Sequence, residues 1–96
     1  MDSKVRCVQY FEKSIIEFRL GGKKSEEANA IYNLAVKMKI FYTFSRAKSL
    51  LAKAKSIALE LQERPLLQKI EMLEKEVADK NRNMRDYVSE LGLDMP

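Results

Sequence analysis

Apolar side chains recur at spacings of three and four along most of the chain, the period of α-helices that each turn one face to a core. Val8, Phe11, Ile15 and Phe18 share such a face and predict a first helix over 4–20, stopped by Gly21-Gly22. Ser25 followed by Glu26 and Glu27 predicts the next start, since a hydroxyl caps free amides and carboxylates favour the positive helix end. In this second helix, over 25–42, Ala28, Ile31, Leu34, Ala35, Met38 and Phe41 cover more than half the circumference, so packing on more than one side is expected. Thr43 or Ser45 caps a third helix over 44–62, with Ala47, Leu50, Leu51, Ala54, Ile57, Ala58 and Leu61 in one stripe. Pro65 ends it and suits the first turn of a fourth helix over 65–91. There Leu66, Ile70, Leu73, Val77, Met84, Tyr87 and Leu91 form a seam that Lys80 interrupts, and Asn81-Arg82-Asn83 leaves a continuous helix and a broken one both open. The expected fold is all-α: one domain over 1–96, four antiparallel helices, the last one long, and a frayed tail over 92–96.

The chain also repeats itself. A shift of 40 residues carries Cys7, Phe11 and Ser14 onto Ala47, Leu51 and Ala54, and a shift of 39 carries Ile31 and Leu34 onto Ile70 and Leu73. Ile31, Leu34, Ala35 and Met38, followed by Ala47, Leu51 and Ala54, resemble the large-Leu-small-bulky and small-aromatic-small positions of the tetratricopeptide repeat (TPR). Cys7, Phe11 and Ser14 resemble the second helix of a preceding half-repeat, and Tyr10 to Leu61 resembles the longer variant found in regulatory helical arrays. Ile31 stands where that family has Trp, Met38 where it has Tyr, Leu51 where it has Phe, and Leu59 where it has the closing Pro. Glu74 follows Leu73 where close helix approach needs a small residue, so the repeat is expected to stop there and the last helix to act as a cap. The resemblance implies TPR-like helical hairpins and a protein-interaction role, with Asn29, Tyr32, Val36 and Lys39 lining a concave face that grips a protein or peptide partner.

Composition narrows the chemistry. The 96 residues are 33% charged and 46% hydrophobic, with a formal net charge of +4, as in a soluble globular domain. Histidine is absent and Cys7 is the one cysteine, which excludes an internal disulfide, a cysteine-rich zinc cage and any imidazole-dependent triad. Glu71, Glu74, Glu76 and Asp79 read as solvated or ion-paired helix carboxylates beside Lys75 and Lys80 rather than metal ligands. Gly21-Gly22-Lys23-Lys24-Ser25 lacks the first glycine and the strand of a phosphate loop. The expectation is a non-enzyme with no cofactor and no metal, cytoplasmic, with no membrane span.

Charge adds an alternative function. No acidic residue falls between Ala28 and Leu59, where six basic ones interleave with aromatics, so Lys37, Lys39, Tyr42, Arg46 and Lys53 are candidate nucleic-acid contacts. On the third helix, however, Arg46 and Lys53 lie roughly 160° from Lys48 and Lys55, flanking the apolar stripe rather than forming one patch. From Pro65 onward the charge reverses, with five basic and seven acidic residues, which allows docking of the tail within the chain or on a second copy. One and a half repeats plus a cap fall short of the three that such arrays usually need, so a homodimer is expected. The seam Leu66, Ile70, Leu73, Val77, Met84 and Leu91 would supply either that contact or intrachain packing.

Overall fold

The computed structural model describes the backbone of residues 3–90 and the side chains of residues 3–84. Four helices make up the fold: α1 (Ser3–Leu20), α2 (Lys24–Ile40), α3 (Phe44–Leu61) and α4 (Arg64–Glu90). There is no strand among the described residues. The described helix ends fall within two residues of the expected ones, and the expected end of the fourth helix at 91 lies outside the described residues.

All three connections use the same turn. Gly22, Tyr42 and Gln62, at successive intervals of 20 residues, take the left-handed conformation, with φ of 70°, 60° and 57°. One residue later, the Lys23 N–H donates to the Phe18 carbonyl, Thr43 to Met38 and Glu63 to Ala58, at 2.9, 2.8 and 3.0 Å. These bonds satisfy carbonyls that the ending helix leaves without partners. The next helix then opens identically, with Glu27 donating to the Lys23 carbonyl, Ala47 to Thr43 and Leu67 to Glu63.

Two predicted caps are corrected by this geometry. Ser25 lies inside the first turn of α2, whose N-cap is Lys23, and Thr43 precedes α3 without a side-chain capping bond. The backbone of the shared turn supplies the first helical bond in both cases. Glu26 and Glu27 do occupy the first turn of α2, where the helix dipole favours them. Helix α4 runs unbroken through Asn81-Arg82-Asn83.

Helix α2 is the centre of the molecule, in contact with α1, α3 and α4, as its wide apolar arc requires. Ala28, Ile31, Leu34, Ala35 and Met38 are buried on it and meet Ala47, Leu51, Ala54 and Ala58 of α3. The alanines let the two backbones approach closely. Leu66, Ile70, Leu73 and Val77 of α4 complete the core, while Gln68, Glu71 and Lys75 on the opposite face are exposed. Helix α1 contributes one fully buried residue, Ile15, with Val8, Phe11 and Phe18 half-buried against the cluster. The turn register between α2 and α4 is 40, against the side-chain offset of 39. That difference of one residue rotates the buried line by about 100° and presents α4 as a one-sided helix.

Candidate functional site

Ion pairs determine which charged side chains remain available. Lys39 of α2 donates to Glu76 of α4 at 2.7 Å, Arg46 of α3 to Glu12 of α1, and Lys55 of α3 pairs with Glu74 of α4 at 3.4 Å. The Lys39 ammonium, by its hydrogen bond and its charge, holds the Glu76 carboxyl below its ordinary range. Lys24, at the start of α2, bonds to Glu60 near the end of α3, and its ammonium is held above its ordinary value by that bond and charge. Glu27 is the one buried charged residue described, 7% exposed, and its carboxylate accepts a 3.0 Å bond from Arg19 Nε. No buried side-chain nitrogen or oxygen lacks a partner among the described residues.

Of the four residues expected to line a partner groove, Asn29 alone is exposed. Its amide donates to the Ser25 carbonyl at 2.8 Å. Tyr32 and Val36 are half-buried against the core, and the ammonium of Lys39 is engaged by Glu76. That face is therefore partly covered, and α4 holds its one charged residue, Lys39.

The nucleic-acid candidates converge only in part, Arg46 and Lys53 bordering one cleft. Lys39 and Arg46 are ion-paired to different helices, on α4 and α1. Lys37 is half-buried on α2 and Lys53 exposed on α3, where with Arg19 and Arg46 it borders a shallow cleft floored by Ile31, Leu34 and Leu50. Tyr42, 63% exposed in the turn, packs edge-on against Phe44 at 5.9 Å. In the seam assigned to self-association, Leu66, Ile70, Leu73 and Val77 are buried inside the chain, so an intermolecular contact there would require α4 to leave its own core. Met84 is 40% exposed, and Leu91 lies outside the described residues, as does the tail over 92–96.

A groove that the helical wheels do not single out runs between α1 and α2. Tyr10, Phe11, Ser14 and Phe18 form one wall, Ser25, Glu26, Asn29, Ala30 and Asn33 the other, around a volume of about 390 Å³. Tyr10 is 68% exposed and meets Phe11 edge-on at 5.6 Å. The signal for it was present in the repeat: its wall on α1 corresponds, 40 residues on, to buried positions of α3. A larger cleft, of about 520 Å³, lies where Val5, Val8, Met38 and Phe41 meet beside Lys4 and Arg46, with the Lys4 ammonium 5.3 Å from the Phe41 ring centre.

Among the described residues no three acidic, histidine or cysteine side chains gather as metal ligands, and no helix is long and apolar enough to cross a membrane. Cys7 is half-buried and unpaired by disulfide. Comparison with known protein families, with curated proteins and with solved structures gives no match for this chain.

Proposed function

We propose that the protein is a non-catalytic protein–protein interaction module, a short TPR-like array of antiparallel helical hairpins that receives a partner helix in the groove between α1 and α2. The observation that carries this reading is that groove: an aromatic wall of Tyr10, Phe11 and Phe18 faces a polar wall carrying Asn29 and Asn33. A partner helix with one apolar and one polar stripe would meet both walls. The 20-residue recurrence of the three turns supports a repeated hairpin, and the Lys24–Glu60 bond, joining opposite ends of α2 and α3, supports antiparallel pairing. The nucleic-acid alternative has no comparable support, since two of its five side chains are held in ion pairs.

The test is capture of partners by the tagged chain, with and without nuclease, in three forms: wild type, Tyr10→Glu with Asn33→Arg, and Lys48→Glu with Lys53→Glu. The reading predicts a defined protein that survives nuclease, is lost with the groove variant and is retained by the lysine variant. Binding that vanishes with nuclease and with the lysine variant would replace it with the nucleic-acid reading.

A further inference from the structure

The α1–α2 groove is a vacant helix seat. Moved 40 residues along the chain, its α1 wall of Tyr10, Phe11, Ser14 and Phe18 becomes Leu50, Leu51, Ala54 and Ala58. Glu26, Ala30 and Asn33 become Leu66, Ile70 and Leu73. All seven of these later positions lie in the hydrophobic core, and α2 is the helix that packs against both α3 and α4 there. Equivalent positions line the groove between α1 and α2, where no helix lies among the described residues, although Ser25 and Asn29 map to the exposed Pro65 and Lys69. At the other end of the array, the α4 positions matching Ile31, Leu34 and Ala35 are Glu71, Glu74 and Lys75, a face that water or ion pairs satisfy. Among the described residues the helices are therefore closed at α4 and leave the α1 side open.

We propose that the seat is filled by α1 of a second copy of this chain, the two copies being related by a two-fold axis that passes near Ser14. The proposal rests on the helix-receiving groove described above and names its occupant. Three features single out a second copy. A two-fold contact closes both open ends at once and leaves a charged α4 face at each outer edge, whereas a head-to-tail contact always leaves one end open.

The second feature is the pattern along α1, which is symmetric about a small residue: Tyr10 stands four positions before Ser14 and Phe18 four after. Two such helices crossing in opposite directions at Ser14 bring Tyr10 of each copy against Phe18 of the other, and the small side chain allows the approach. Third, charges that make no ion pair among the described residues become complementary. Arg6 and Lys13 lie on the outer shoulder of α1 on either side of Tyr10, and Glu26 lies on the α2 rim of the groove at the level of Phe18. When Tyr10 of one copy reaches Phe18 of the other, Arg6 and Lys13 flank Glu26 of that copy. Glu17 comes by the same rule to Asn33 of the second copy, as an acceptor for its amide.

Sedimentation equilibrium of the full chain, over a hundredfold range of concentration from low micromolar upward, reads the assignment directly. Dimer is expected for the wild type, and monomer across the range for Tyr10→Glu and for Ser14→Arg. Both positions are outside the buried core, so the circular dichroism of the variants should match that of the wild type. Glu26→Lys should weaken the dimer about tenfold, and Glu26→Lys combined with Lys13→Glu should recover most of that loss. A wild type that stays monomeric overturns the proposal, as does a dimer that ignores Tyr10→Glu and Ser14→Arg but dissolves with Met84→Glu. If the wild type is monomeric and Tyr10→Glu still abolishes capture of a foreign protein, the second copy is the wrong occupant and the interaction module stands.

Discussion

Shortening Ile70 to alanine separates the part of α4 that holds the fold together from the part that does not. Ile70 is 0% exposed, at the junction of α4 with the α2–α3 core. Removing three of its carbons forfeits about 2.4 kcal/mol of transfer free energy at ~0.8 kcal/mol per buried carbon. A residual cavity adds to this at about 24 cal/mol per Å³, and the packing of α2 and α3 against α4 limits its collapse, so a total of about 3–4 kcal/mol is expected. For a domain of this size that is a large share of a stability of roughly 5–10 kcal/mol, and it lowers the melting temperature by on the order of 20 °C. The assay is urea unfolding followed by far-ultraviolet circular dichroism, in the Tyr10→Glu background and at one protein concentration, so that self-association does not enter the balance. Met84→Ala on the same helix, at a 40% exposed side chain, should change stability by less than about 0.5 kcal/mol. A loss below about 1 kcal/mol for Ile70→Ala, or equal losses for the two variants, would refute the docking of α4 and the division of that helix into a core half and an exposed half.

Three further predictions address the turns and the ion pairs. Gln62→Gly should stabilise by about 0.5–1 kcal/mol in chemical denaturation, since φ of 57° strains a side-chain-bearing residue, and Gly22→Ala should destabilise by about 1 kcal/mol although nothing lies near its added methyl. Arg19→Ala leaves the buried Glu27 carboxylate without its partner and should cost about 1–2 kcal/mol, discounted because Arg19 is itself largely exposed, whereas Arg46→Ala at an exposed pair should cost under about 1 kcal/mol. Glu76 has its pKa lowered by Lys39, so its contribution is whole above the ordinary value of 4.5 and is lost as the pH falls through the lowered value. Acid titration of stability should accordingly show a shallower decline below that pH in Lys39→Met than in the wild type.

The helical spans were legible because each helix has one strong signal that depends on local order alone: Gly21-Gly22 ends α1, Pro65 opens α4, and the stripes between them keep a single period. Of the stripe expected on α3, Ala47, Leu50, Leu51, Ala54 and Ala58 are buried, whereas Ile57 is half-buried and Leu61, at the helix end, is exposed. What the pattern could not give was which neighbour each face meets. Lys39 sits awkwardly in an apolar arc, which invites a binding role until Glu76, 37 residues away, engages it. Ser25 has the chemistry of a cap, yet the backbone turn shared by all three connections makes Lys23 the cap instead. Ser14 was legible as a small repeat position and Tyr10 as the start of the repeated stretch, but neither pointed to a groove, because one lies within the apolar face of α1 and the other faces outward. The Arg19–Glu27 pair likewise joins two helix ends that only the Gly22 turn brings together.

Hydrogen–deuterium exchange of the wild type at low and at high protein concentration tests the central claim, that the array is open at α1 and α2 and closed at α4, most directly. Raising the concentration should slow exchange of backbone amides in residues 10–18 and 25–33 and leave 64–84 unchanged. Protection that rises in α4 instead, or that does not depend on concentration anywhere, would contradict it.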